Sequence, residues 1–291
     1  MNLELKKVEF YSVPKLEERV RLSDFAPGVF KTIFSKKGIK KAIKKGFVTI
    51  NGDVGYTSDY INGGELIELF QPINTPKKPI IDILLQVIYE DDYLAIINKP
   101  AGIVVSGNKK FTIENALSFN LKQSKQKDAI LPEPIHRLDY PTSGVLLIGK
   151  TSQAVILLNK LFEEREIQKK YFAITIGHQN DAGIIETSVD GKPSKSEYKT
   201  VSRLESRKYE SLNLLELNPY TGRRHQLRVH LASIGNPILG DIKYGKEGLV
   251  GKGKGLYLHA FSLNFNHPFT KKDLEVSISL PKKFLKLFPK K

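Results

Sequence analysis

The stretch Pro134-Ile135-His136-Arg137-Leu138-Asp139-Tyr140-Pro141-Thr142-Ser143-Gly144, running into Val145-Leu146-Leu147-Ile148, decides how the chain reads. Four consecutive apolar residues form a buried strand, so the polar segment before them is a loop fixed to the core. Pro132, Pro134 and Pro141 restrict that loop on both sides, and Gly144 lets its backbone pass close to another segment. Asp139 stands in the middle. A carboxylate held beside Arg and His can serve as a nucleophile, a general base or a metal ligand. An Asp in such a turn can equally do no more than accept local backbone hydrogen bonds.

The 291 residues, 40% of them hydrophobic, allow one large core and a small additional domain. No run approaches the ~18 to 20 apolar residues of a membrane span. Met1-Asn2-Leu3-Glu4-Leu5-Lys6-Lys7 lacks the charged-then-apolar order of a signal peptide, and a cytoplasmic protein is expected. The absence of Cys excludes disulfides and thiolate metal sites. The six His residues are scattered, and His225 and His230, five apart, do not share a helical face, so no metal is expected.

A net charge of +15, from 46 basic and 31 acidic side chains, suits a polyanionic partner. Nine Lys or Arg residues (19, 21, 31, 36, 37, 40, 41, 44, 45) face the single Asp24 between Arg19 and Gly52. Within that segment Ile39, Ala42 and Ile43 fall at helical spacing, lysines cover the remaining faces, and Gly46 is a helix stop. Phe47 to Ile50 reads as a strand and Asn51-Gly52 as a tight turn. Pro72, Pro76 and Pro79, with Lys77-Lys78 between them, mark a linker, giving expected domains of residues 1–75 and 76–291.

The larger domain begins with extended segments Gln86 to Tyr89 and Tyr93 to Asn98, joined by a turn. Lys122 to Asp128 is polar and reads as a surface loop. Thr151 or Ser152 caps a helix whose buried stripe is Ala154, Val155, Leu158, Leu161 and Phe162. Tyr171 to Ile176 is a strand, with further strands near Ile184, Tyr198 and Leu212 to Leu217. Many strands separated by turns, with few helices, indicate a mixed or antiparallel sheet. In Thr221 to Leu231, an i, i+4 face runs from Arg224 to Arg228, and Leu227 and Leu231 make the apolar face of a short helix. Lys246 to Gly255 and the basic tail from Pro281 read as flexible.

His136-Arg137-Leu138-Asp139-x-x-Thr142-Ser143-Gly144 resembles the signature of the RluA-type RNA pseudouridine synthases, whose Asp is the catalytic nucleophile. Lys169-Lys170-Tyr171-Phe172-Ala173 resembles the family's Lys-x-Tyr-x-Ala, whose Tyr stacks on the target base. Gly222-Arg223-Arg224-His225-Gln226-Leu227-Arg228 resembles Gly-Arg-x-His-Gln-Leu-Arg, whose last Arg pairs with the Asp; Arg224 departs from the small polar residue common there. The basic N-terminal segment is similar to the S4 RNA-binding module, although Gly64-Glu65 stands where that module usually has Gly-Asp.

This resemblance implies an α+β protein, with a mixed, mainly antiparallel catalytic sheet flanked by helices and a small α+β S4-like domain before it. It assigns catalysis to Asp139, Arg228 and Tyr171, and substrate binding to Arg137, His136, Arg223, His225 and Gln226. RNA contacts would come from Arg21, Lys36, Lys37, Lys40, Lys41, Lys44 and Lys45. The expected partner is ribosomal or transfer RNA, and the expected enzyme is a monomer with no metal or organic cofactor. Asp139 would attack C1′ of the ribose or C6 of uracil, or assist proton removal from the sugar, with Arg228 supplying the counter-charge that an enclosed carboxylate requires. A binding protein that had lost its chemistry would be expected to have damaged this set. Glycoside hydrolysis would ask for a second carboxylate where these motifs offer Arg and Tyr.

Overall fold

The computed structural model describes residues 4–30, 32–33, 36–73, 79–249, 253 and 255–289, the side chain of Lys37 excepted. Lys31, the side chain of Lys37 and the linker residues 74–78 therefore lie outside the described residues, as do 250–252, 254 and 290–291 of the two segments read as flexible. The chain divides into two compact units, Met1–Pro79 and Ile80–Lys291.

The first unit contains β1 (Leu5–Ser12), β2 (Val20–Arg21), α1 (Leu22–Phe25), α2 (Lys36–Lys44), β3 (Val48–Ile50), β4 (Asp53–Val54), β5 (Tyr60–Ile61) and β6 (Leu66–Pro72). Four strands form a sheet in the order β1-β6-β3-β4, and β2 pairs with β5. Helix α2 turns Ile39, Ala42 and Ile43 into a core that also holds Leu22, Phe30, Val48 and Leu69. Its end is set by Gly46, whose φ of +69 lets the Gly46 and Phe47 N–H groups reach back to the Ile43 and Ala42 carbonyls.

The second unit runs β7 (Gln86–Glu90), β8 (Leu94–Lys99), α3 (Ile113–Asn120), β9 (Ala129–Pro134), β10 (Ser143–Thr151), α4 (Ser152–Glu163), β11 (Gln168–Ile176), β12 (Ala182–Ile185), β13 (Ser196–Ser206), β14 (Glu210–Pro219), α5 (Gln226–Ser233), β15 (Leu258–Asn266), β16 (Asp273–Ser277) and α6 (Lys282–Leu287). Its sheet has the order β12-β13-β14-β11-β15-β10-β8-β7, with β9 beside β10 and β16 beside β15. Every pairing is antiparallel except the short parallel join of β10 to β15. Two apolar cores support the sheet. One gathers β8, β10, α3 and α4, and the other gathers β11, β14, α5 and α6. Thr151 caps α4, its Oγ1 accepting the Ala154 N–H at 3.1 Å. No helix among the described residues is long and apolar enough to cross a membrane.

Three local expectations are corrected. Pro132 and Pro134 belong to β9, which pairs with β10 alone, and such an edge position tolerates prolines that cannot donate to a second neighbour. Helix α5 begins at Gln226 behind His225 in the left-handed region (φ +58), so Arg224 precedes the helix and shares no helical face with Arg228. The tail forms α6, and Phe284 within it and Phe288 just after it are both buried in the second core. Lys283 adds a hydrogen bond from its Nζ to the Leu256 carbonyl at 2.6 Å.

Strand β10 meets β15 only at Ser143 with His259 and at Gly144 with Ala260. Gly144 has φ +124, and a Cβ there would collide with the backbone of Ala260. On the other side of β15, Ala260 faces Tyr171 across a bulge between Lys170 and Tyr171. Gly144→Ala should therefore destabilise the protein by on the order of 3 kcal/mol in chemical denaturation. The same change at Gly64, where a Cβ would meet open space, should cost less despite its φ of +94.

Candidate active site

The Asp139 loop is tied down from several directions. The Ile135 N–H donates to the Leu147 carbonyl at 2.9 Å, and the Leu147 N–H donates to His136 Nε2 at 3.1 Å. Thr142 N–H closes a turn onto the Asp139 carbonyl at 3.0 Å, and Gly102 N–H reaches the Tyr140 carbonyl at 2.8 Å. Beneath the loop lies Lys99, the last residue of β8 and fully buried. Its Nζ donates to the carbonyls of Pro100 (2.9 Å), Thr142 (2.8 Å) and, more weakly, Tyr140 (3.5 Å). Burial pushes the Lys99 ammonium down to about 8, against the opposing pull of the Asp139 charge.

Sheet order then brings the separate motifs together. The Asp139 loop leads into β10, Tyr171 lies on β11 two strands away, and the segment after β14 leads into α5 with Arg228. Opposite Tyr171 the bulge puts one extra residue, Phe261, into β15, while β11 keeps a regular ladder with β14. The result is a pocket of about 330 Å³ whose lining includes Asp139, Tyr171 and Arg228. Arg137, His136, Arg223, His225 and Gln226 also line it, so all eight residues assigned from the resemblance to catalysis or substrate binding are in one cavity.

Within it, Arg228 bridges two carboxylates. Its Nη1 lies 3.3 Å from Asp139 Oδ2, while Nε and Nη2 make a two-pronged pair with Asp241 at 2.7 and 2.8 Å. Asp241 also accepts the N–H groups of Lys243 (2.9 Å) and Tyr244 (3.0 Å). Burial alone would push the Asp241 carboxyl up, yet Arg228 and these donors hold it below the usual carboxylate range. The Tyr244 ring lies 5.1 Å from the Arg228 guanidinium, and its hydroxyl is 3.0 Å from His225 Nδ1. His225 Nε2 stands 3.6 Å from Asp139 Oδ1. Burial lowers the His225 pKa, Asp139 opposes this, and Arg228, Arg224 and Lys243 add to the lowering, which favours the neutral ring.

Burial pushes the Tyr171 phenol well up, and the Asp139 charge adds to it, so Tyr171 presents a neutral ring. Burial, with Lys169 nearby, pushes His136 down to about 3; its Nε2 is already engaged by Leu147, which makes it a bracket for the loop. Gln226 is likewise engaged within the fold. Its Oε1 accepts from Thr221 Oγ1 (2.6 Å) and Arg223 N–H (3.0 Å), and its Nε2 donates to the Lys195 carbonyl (3.0 Å) and Ser196 Oγ (2.8 Å). The exposed Arg223 donates to the Pro193 carbonyl at 3.3 Å. Arg137 is exposed on the pocket wall.

The basic residues expected to bind RNA belong to the first unit. Arg21, Lys36, Lys40, Lys41, Lys44 and Lys45 are exposed there, with Lys36 paired to Asp24 at 2.7 Å. No cluster of three or more His, Cys, Asp or Glu able to hold a metal occurs among the described residues. Sequence reasoning gave no site role to Lys99, Asp241 or Tyr244, nor to Thr142, although Thr142 is part of the quoted signature. The available signals were a lysine ending an apolar strand and an acid following Pro237-Ile238-Leu239-Gly240, and either pattern also fits a solvated side chain.

Comparison with known proteins agrees with this geometry. The sequence profile of the family described as RNA pseudouridylate synthase matches residues 93–233. An RNA pseudouridine synthase of Aquifex aeolicus, itself uncharacterised, is 35% identical over 300 aligned positions, covering 93% of each chain. The ribosomal large subunit pseudouridine synthase C of Rickettsia prowazekii is 32% identical, covering 84% of this chain and 88% of its own. Among solved structures, human RNA pseudouridylate synthase domain containing 4 superposes with a TM-score of 0.57 at 27% identity, covering 69% of this chain and 90% of its own.

Removing the Asp241 charge leaves a buried guanidinium half-satisfied, so Asp241→Asn should cost about 3 kcal/mol at neutral pH. A carboxyl whose folded-state pKa is lowered contributes stability that is present above its unfolded value, ~3.9, and lost as pH falls through the folded value. The gap between parent and variant, measured by urea denaturation, should therefore narrow below about pH 4.

Proposed function

The chain belongs to the RluA-type RNA pseudouridine synthases, and on that premise we propose that it isomerises uridine in ribosomal RNA with Asp139 as its nucleophile. The observation that carries this reading is the placement of Asp139, 16% exposed in the pocket, with Arg228 at 3.3 Å and Tyr171 in the same wall. The reaction breaks the bond from N1 to C1′, turns the uracil and joins C5 to C1′, with loss of the C5 proton and gain of a proton at N1. Asp139 attacks C1′ or C6, or takes a proton from the sugar; each route needs an ionised carboxylate held in a fixed direction. Arg228 provides the charge, and Asp241 keeps Arg228 in place. A uridine stacked in a helix must first leave the stack, at a cost of a few kcal/mol. The neutral ring of Tyr171 then stacks on the displaced uracil, and the exposed Arg137 fills the space it vacates. The relatives named for the large ribosomal subunit support ribosomal RNA as the substrate.

The first unit serves in this reading as an S4-like RNA-binding module. Lys36, Lys40, Lys41 and Lys44 cover the outer faces of α2 around a buried apolar stripe. Arg19 and Arg21 lie 4.5 and 5.8 Å from the exposed Tyr60 ring, adding a cationic and aromatic surface of the kind that meets nucleic acid.

Asp139→Asn should leave RNA affinity intact and abolish tritium release from C5-labelled uridine in transcribed large-subunit ribosomal RNA; substantial remaining turnover would remove Asp139 from the mechanism. For the first unit, replacing Lys40, Lys41 and Lys44 together by Gln should weaken RNA binding and reduce its salt dependence by roughly 0.7 to 0.9 in slope for each phosphate no longer neutralised. An unchanged slope would show that this helix serves packing alone.

A further inference from the structure

We propose that the hydroxyl of Thr142 hydrogen-bonds the uridine held in the Asp139 pocket and positions it for reaction, an inference that rests on the synthase reading above. Four buried side-chain polar atoms among the described residues have no hydrogen-bond partner: Thr142 Oγ1, Gln179 Nε2, His230 Nδ1 and His259 Nε2. Of these four residues, Thr142 alone lines the pocket. A buried polar atom left unpaired is costly, and in a native fold it calls for an explanation. For Thr142 the explanation is a ligand.

The position of this hydroxyl is closely determined. The Thr142 N–H is committed to the Asp139 carbonyl at 3.0 Å, and its carbonyl accepts from buried Lys99 at 2.8 Å, so the backbone on both sides of the side chain is held. A β-branched side chain on a fixed backbone has few rotamers. Thr142 is 2% exposed, which removes solvent as a ready partner for Oγ1. The adjacent Ser143 shows the contrast, because its hydroxyl is engaged with His259 Nδ1 at 2.9 Å and plays a part within the fold.

The chemistry of uridine fits this atom. The base offers carbonyl oxygens and one N–H, and the ribose offers hydroxyls. A threonine hydroxyl is both donor and acceptor, and it can give its proton to an oxygen or accept one from nitrogen by turning about a single bond. It can therefore keep a bond to the nucleoside while the uracil turns, with no movement of its own heavy atoms. The turn linking Thr142 to Asp139 ties this contact to the nucleophile, so whatever Thr142 holds is held in register with the carboxylate.

The test compares the parent, Thr142→Val and Thr142→Ser by tritium release at sub-saturating transcribed large-subunit ribosomal RNA carrying C5-tritiated uridine, and by thermal unfolding. Valine keeps the shape and loses only the hydroxyl. The expected result is a loss of about fivefold or more in turnover for Thr142→Val, with a Tm equal to or above that of the parent, because no bond within the fold is removed. Thr142→Ser restores the hydroxyl and should recover turnover, even though its lost methyl lowers Tm. A loss below about fivefold for valine, or serine no better than valine, would overturn the proposal. A fall in Tm for valine that serine repairs would also overturn it, by showing an internal hydrogen bond. A parent that released no tritium from this RNA would instead sink the ribosomal reading, and this inference with it.

Discussion

The close approach of Gly144 to Ala260 is the constraint on which the site depends. Strand β10 joins β15 through two residues only, and this join merges the β7-β8-β10 part of the sheet with the β11 to β14 part. A side chain at residue 144 would hold those backbones apart. Because Ala260 also faces Tyr171, the same approach sets the distance between the Asp139 loop, which leads into β10 at Ser143, and the aromatic wall opposite. The bulge beside Tyr171 belongs to this arrangement: β15 carries the extra residue, Phe261, while β11 keeps a regular ladder with β14 from Tyr171 to Ile176, so it is β15 whose alternation changes there.

A second layer of support is electrostatic. Asp139 borrows its cation from a guanidinium whose strongest partner is another acid, Asp241. The two-pronged pair and the two backbone donors to Asp241 neutralise a charge that would otherwise be expensive to bury, and they fix the plane of Arg228. The remaining Nη1 is thereby presented to Asp139 at 3.3 Å. Lys99 plays a comparable part from below, where one ammonium holds the carbonyls of Pro100 and Thr142 and, more weakly, that of Tyr140, which also accepts the Gly102 N–H. The loop residues are thus positioned by groups that need not touch the substrate.

Much of the architecture was readable before any coordinates. The hairpin of β7 and β8, the Thr151-capped helix and the strand around Tyr171 have patterns set by neighbours in sequence, and local physics suffices for them. The chain of α2, Gly46 and the Asn51-Gly52 turn is equally local, with φ values of +52 and +92 at the turn. Two of the three misreadings share one cause. Whether prolines 132 and 134 can lie in a strand depends on which side of that strand is unpaired, and whether the tail packs depends on a core assembled far away in sequence.

By itself, the sequence determined the class of fold and the three motifs, because motif, periodicity and capping are written over a few neighbouring residues. Only the tertiary structure decided which of those residues remain available. Gln226 and His136, both site candidates on sequence grounds, have hydrogen-bonding atoms taken up by the surrounding fold, whereas the Thr142 hydroxyl is left without a partner. It also decided that Arg228 is shared between Asp139 and Asp241. Hydrogen-bond satisfaction is a property of the assembled surroundings, and partners 13 or 89 residues apart are joined only when the sheet closes.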